Sequence, residues 1–252
     1  MGKIAIVTDS NSGITQAQAE ELGVYVIPMP FYINEKMYLE GVTLTQEEFY
    51  EKLKKDEPIS TSQPSPADLC DLWDKLLRDY EEIVHIPMSS GLSASCSTAM
   101  GLAIDYNGRV QVVDNQRISV TQRQSVMDAK MLAEAGKSAA EITAALEEVR
   151  PKVRASFVVD TLMYLYRGGR CNAVAAMAGS VLKLHPKIVV ENGAMDAAKK
   201  YRGKLHSVVM SYVRDMEADL KNARPERVFI THSGCDRKIV EDVQAYLQSL
   251  GI

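Results

Sequence analysis

Lys3-Ile4-Ala5-Ile6-Val7-Thr8-Asp9-Ser10-Asn11-Ser12-Gly13 opens the chain with a short β-branched run that stops at a cluster of polar, turn-forming residues. A run of this kind, closed by Asp, Ser, Asn and Gly, reads as a buried strand delivered into a turn. Outward from it, apolar periodicity predicts helices over 15–22, 45–54, 66–80 and 92–106, with strands over 24–27, 82–86 and 110–113 between them. Alternating strands and helices imply βαβ units and a parallel sheet. Two boundaries carry their own chemistry. Thr45 with Glu48 three residues later forms a capping box, and Ser65-Pro66 places a cap residue before a first-turn proline.

Two more helices, over 119–133 and 138–149, lead to Arg150-Pro151, where a domain change is expected. The reading is therefore α/β with two domains: an N-terminal parallel βαβ domain over 1–150 and a C-terminal mixed-sheet α/β domain over 151–252. In the second half, strands are expected over 155–160, 187–190, 195–198 and 227–232. Helices are expected over 161–166, 173–182, 206–221 and 238–250, with the turn Arg167-Gly168-Gly169-Arg170 following the first of them. No internal repeat or low-complexity tract interrupts this order.

Composition narrows the function. The 252 residues are 46% hydrophobic and 25% charged, close to the globular average, which argues against a disordered or fibrous chain. With 29 basic against 33 acidic residues the net charge is -4, whereas a nucleic-acid binder would carry a clustered basic excess. The uncharged run Leu22 to Asn34 is too short to span a bilayer and is broken by Pro28 and Pro30. The start lacks the layout of a secretory signal, and the four cysteines, Cys70, Cys96, Cys171 and Cys235, form no C-x-x-C pair. A cytoplasmic protein without a metal site is the expectation.

Several motif matches fail on inspection. Gly136-Lys137-Ser138 imitates the end of a P-loop, but Met131 stands where the first glycine is required, and no G-x-G-x-x-G follows the first strand. Gly91-Leu92-Ser93-Ala94-Ser95 approximates a nucleophile elbow without its last glycine, and no spacing among His185, His206 and His232 selects a base. A better reading takes Ser89-Ser90-Gly91-Leu92-Ser93 as a hydroxyl-rich strand-to-helix turn, whose free backbone N–H groups and helix dipole would suit an anion. Thr61-Ser62-Gln63-Pro64-Ser65-Pro66 is a second turn of the same kind. Ordinary helix capping is the competing explanation for each.

These segments, taken in order with Val7-Thr8-Asp9-Ser10, Gly168-Gly169-Arg170 and Arg202, resemble the DegV family of bacterial fatty-acid-binding proteins, which includes the lipid-binding subunit of fatty acid kinase. The resemblance runs the length of the chain. It implies a long-chain fatty acid held between two domains, with Thr61 and Ser93 hydrogen-bonding the carboxylate and Ser62, Ser90 and Arg170 in supporting positions. Arg170 and Arg202 fall on arginines tied to phosphoryl transfer and to docking of a partner kinase. ATP and Mg would belong to that partner alone, the product would be an acyl phosphate, and transient contact with a membrane surface would serve lipid exchange. Met88, Met163 and Met177 are the first candidates for contact with the acyl chain. The alternatives are a Ser93-dependent esterase or thioesterase, and a lipid sensor without phosphotransfer.

Three departures from the family pattern stand out. Ala94 replaces a usual glycine, and Cys171-Asn172 follows Gly169-Arg170 where an aliphatic residue is expected. The family chain also ordinarily continues with a further strand and a His-Thr-Gly-x-Gly turn whose histidine lies near the carboxylate. With Gly251-Ile252 last in this sequence, either that turn follows beyond it or the polar end of the site is more open here.

Overall fold

The computed structural model describes residues 3–170 and 184–252. The expected helix over 173–182, with Cys171, Asn172 and Met177, lies outside the described residues. The chain divides into two units. The first comprises 1–153 with 192–194, and the second 154–191 with 195–252.

In the first unit, β1 (Ile4–Asp9), β2 (Tyr25–Ile27), β6 (Glu82–Ile86) and β7 (Val110–Val112) form a parallel sheet in the order β2-β1-β6-β7. Its register pairs Val7 with Tyr25, Ile4 with Glu82, and Ile83 with Val110. Side chains of β1 alternate between two faces, and both are covered, which is why the run reads as continuously apolar. Ile6 joins Val84, Ile86, Val126, Ile142 and Leu146 beneath α1 (Gln16–Leu22), α5 (Val120–Glu134) and α6 (Ala139–Val149). Ala5 and Val7 join Leu69, Trp73, Leu76 and Ala99 beneath α3 (Pro66–Leu76) and α4 (Ser95–Ala103).

The caps follow the sequence. Thr15, Thr45 and Ser138 each close a capping box, at α1, α2 (Gln46–Lys54) and α6, and Ser65 caps α3 ahead of Pro66.

One element of this unit escaped the sequence pattern. β3 (Pro30–Ile33), β4 (Lys36–Leu39) and β5 (Ile59–Thr61) form an antiparallel sheet in the order β4-β3-β5. Asn34 and Glu35, with φ of 49° and 65°, make the tight turn between β3 and β4. Both left-handed residues match the twist a two-residue hairpin requires, although the usual glycine signal is missing. β5 pairs Thr61 with Phe31, so the first hydroxyl turn starts from a strand end.

In the second unit, β8 (Ala155–Val158), β9 (Leu184–Glu191) and β10 (Ala194–Arg202) form a sheet in the order β10-β9-β8, with β8 and β9 antiparallel. Asn192-Gly193 joins β9 to β10 with φ of 49° and 80°, again a left-handed pair. Leu184 and Ile188 pack with Phe157, Leu162, Leu165, Met195 and Ala197; Leu165 belongs to α7 (Met163–Gly168). Val213 of α8 (Leu205–Asp215) packs with Val243 and Leu247 of α10 (Arg237–Ser249), and Leu220 of the short α9 (Glu217–Lys221) covers their edge.

The expected strand over 227–232 does not form. Pro225–Arg227 is a 3-10 turn, no described strand pairs with residues 228–232, and Phe229 and Ile230 are 46% and 41% exposed. A β-branched, aromatic run becomes a strand only when a neighbour completes its ladder. Among the described residues, no helix is long and apolar enough to cross a membrane.

Candidate functional site

The carboxyl ends of β1 and β6 are tied together by buried polar groups. Thr8 Oγ1 donates to Ile86 O at 2.7 Å, and Met88 N donates to Asp9 Oδ2 at 2.6 Å. Asp9 Oδ1 also receives Asn11 N and Gln122 Nε2, at 3.0 and 3.1 Å, while Gln122 reaches Thr8 Oγ1 at 3.0 Å. Burial pushes the Asp9 carboxyl above its usual range, and the hydrogen bonds from Met88, Gln122 and Asn11 act against that shift. Ser10 Oγ donates to Glu40 Oε2 at 2.6 Å and accepts from Met29 N at 3.0 Å. The motif Val7-Thr8-Asp9-Ser10 therefore braces strand ends, a role that the resemblance left unassigned.

The Ser89–Ser93 turn follows β6. Its backbone donors are mostly spent inside the protein. Leu92 N and Ser93 N donate to Ser89 O at 3.0 and 3.1 Å, Gly91 N to Ser89 Oγ at 3.2 Å, and Ser90 N to Asp114 Oδ1 at 3.2 Å. This corrects the expectation of free N–H groups: the helix α4 starts at Ser95 rather than Leu92, and the amides of 90–93 before it are taken by Asp114 and Ser89. Ser90 Oγ is held by Asp114 Oδ2 at 2.5 Å. Cys96, buried at the start of α4, has its thiol pushed up to about 12 by burial, with the Asp114 and Asp9 charges adding to it.

Ser93 is half-buried, and its Oγ accepts from Ser95 N at 3.2 Å; among the described residues its own proton is donated to no partner. Thr61 is exposed at the end of β5 and likewise has no side-chain partner among the described residues. Ser62 Oγ donates to Gln63 O at 3.2 Å. Thr98 Oγ1 of α4 donates to Gln63 Oε1 at 3.2 Å, joining the Thr61–Pro66 turn to the helix that follows Ser93. Beside this link lies a small, open crevice lined by Ile27, Leu69, Pro87, His85, Ser95 and Asp9 with Gln63, Pro64 and Thr98; neither Thr61 nor Ser93 is among its lining residues.

His85 sits edge-on to Trp73, 5.5 Å between ring centroids, and neither ring nitrogen has a partner among the described residues. Burial lowers its pKa to about 3, so it is a neutral imidazole at physiological pH. His85 lines the crevice and stands opposite Val7 in the parallel ladder, on the face of the sheet that packs against Trp73. Among the described residues no histidine nitrogen bonds Ser93. His185 Nδ1 contacts Val159 O at 2.9 Å, and His206 Nε2 contacts Asp242 Oδ2 at 2.8 Å.

The remaining site candidates belong to the second unit. Arg170 is exposed, and its Nη1 turns back to Gly168 O at 2.5 Å beside Gly169, whose φ of 65° ends α7. Arg202 is exposed at the last position of β10. Met163 is exposed on α7, whereas Met88, in the first unit, is buried beside Asp9. Among the described residues no group of three or more His, Cys, Asp or Glu side chains is arranged to hold a metal ion.

Fold and site together define a mixed α/β protein of two units, with one hydroxyl turn after β6 of the parallel sheet and another after β5 of the antiparallel sheet, near a partly apolar crevice. The family model described as "Uncharacterised protein, DegV family" matches residues 3–251, and the chain belongs to that family. Protein DegV of Bacillus subtilis (strain 168) is 31% identical over 248 residues, covering 96% of this chain and 88% of that protein. Among solved structures, "Fatty Acid Binding of a DegV family Protein from Thermus thermophilus" is 32% identical with a TM-score of 0.74, covering 85% of this chain and 78% of that one. The structure of DegV, a fatty acid binding protein from Bacillus subtilis, is 27% identical with a TM-score of 0.82 and covers 100% of this chain and 90% of that one.

Proposed function

We propose that this chain binds a long-chain fatty acid and presents its carboxylate to an ATP-dependent kinase, yielding an acyl phosphate. The observation that carries the binding half is the likeness, at 32% identity over most of the chain, to a structure described by its fatty acid binding. The two hydroxyls whose protons are donated to no described partner, Thr61 and Ser93, supply the head-group donors. Hydroxyls suit this task. They orient a carboxylate without the ion pair that would draw charge from its oxygens, so it stays nucleophilic toward a γ-phosphate. Each buried acyl methylene contributes about 0.8 kcal/mol before ordering costs, so the chain supplies affinity and the hydroxyls supply position.

Arg202, solvent-facing at a strand end, is the docking residue for the kinase, and Arg170 serves at the transferring end. ATP and Mg stay with the partner. Native mass spectrometry of the purified protein tests the binding half: a co-purified fatty acid mass is expected, and repeated absence of any lipid, with no oleate binding after delipidation, refutes it. A fluorophosphonate adduct on Ser93 would instead favour a Ser93-dependent esterase or thioesterase.

A further inference from the structure

The tip of the β9–β10 hairpin, Asn192–Ala194, belongs to the first unit, although the strands running to and from it belong to the second. There, Gly193 O accepts from Ser89 Oγ at 2.6 Å, and Ser89 is completely buried. The same Oγ accepts from Gly91 N, and the Ser89 carbonyl holds Leu92 N and Ser93 N. Ser89 thus grips every amide from 91 to 93 and also grips the hairpin tip.

Two glycines make the approach so close. A Cβ on Gly91 would lie 2.5 Å from Gly193 O, and one on Gly193 would lie 2.5 Å from Ser89 Oγ and 3.2 Å from Gln116 Cγ. Gly193 also needs its φ of +80° to turn the hairpin. Neither contact leaves room for a side chain.

We infer that Ser89 and Gly193 form a latch that positions the Ser93 hydroxyl, making both of them positioning residues for the head group. This rests on the reading that Ser93 binds a carboxylate. The latch works through the backbone: Ser89 fixes the turn from inside, and the tip's carbonyl fixes the Ser89 rotamer, so the Ser93 donor is pre-aimed rather than recruited from an ensemble. A pre-aimed donor slows ligand release more than it speeds capture.

The test is a double-mutant cycle of Ser89→Ala and Gly193→Ala, with Gly108→Ala as the control, since Gly108 has the same φ of +80° but open space around it. Ser89→Ala should raise amide hydrogen exchange at 91–93 in the ligand-free protein and speed oleate release at least fivefold. Gly193→Ala should do the same. The double variant should fall short of the product of the two, because removing Oγ removes the atom a Gly193 Cβ would strike. Gly108→Ala should lower Tm while leaving both readouts as in the wild type, separating local strain from the latch. Unchanged exchange at 91–93 in Ser89→Ala overturns the latch whether or not oleate binds. Raised exchange with unaltered oleate release overturns the positioning role, and strictly multiplicative effects overturn the coupling. If wild-type protein binds no oleate while exchange responds as expected, the carboxylate reading falls and the positioning role with it, leaving only a structural latch.

Discussion

At the scale of single residues, the hydroxyls at Thr61 and Ser93 and the imidazole of His85 make separable claims. A hydrogen bond to a charged group contributes about 1.5 to 3 kcal/mol, so Thr61→Val with Ser93→Ala should weaken oleate binding by about tenfold or more per hydroxyl, as measured by titration calorimetry. Wild-type affinity in the double variant would place the head group elsewhere. His85 carries a pH signature instead. Its pKa is about 3 when folded against 6.5 for an ordinary histidine, so below pH 6.5 the unfolded chain takes up a proton that the folded protein refuses. Stability attributable to this residue is whole above pH 7 and drains away as pH falls toward 3, by about 3 kcal/mol between pH 7 and 4. Urea denaturation of wild type against His85→Phe should show that extra loss only in the wild type. Parallel pH profiles would mean that His85 is protonated in the fold.

At the scale of elements, the local signals in the sequence acted where the chemistry is local. Thr15, Thr45 and Ser138 cap their helices as the side-chain pattern requires, because a cap involves only four consecutive residues. Thr15→Ala should therefore cost about 1 kcal/mol, seen as a lower Tm with oleate affinity unchanged, since α1 packs on the face of the sheet formed by Ile6, Val84 and Ile86 and contributes nothing to the hydroxyl turns. An equal loss of ligand affinity would contradict that division of labour. The β3-β4-β5 sheet escaped notice because Pro28 and Pro30 broke the run and Asn34-Glu35 turns without glycine. The strand expected over 227–232 failed in the opposite way, having the composition but no described ladder partner.

At the scale of the whole molecule, ligand binding and folding are linked. A fatty acid that binds only the folded chain adds about 2.7 kcal/mol at a hundred times its Kd, so delipidated protein should melt at lower temperature and recover on adding oleate. Arg202→Ala should retain that recovery while losing kinase-dependent acyl phosphate formation, because an exposed strand-end charge contributes to encounter rather than to lipid burial. Loss of the oleate-dependent recovery in this variant would move Arg202 into the lipid site.

The sequence by itself determined the parallel sheet, the capped helix starts at Thr45 and Ser65, the two hydroxyl turns and the family, since each of these is written in contiguous residues or in their order along the chain. Tertiary structure alone decided what the turns have left to offer. Ser90 is taken by Asp114, 24 residues away. Asp9 is spent on Met88 and Gln122, 79 and 113 residues away, and Ser89 on a glycine carbonyl 104 residues further along the chain. A donor's availability depends on which distant acceptor the fold brings within about 3 Å, and no local pattern carries that information.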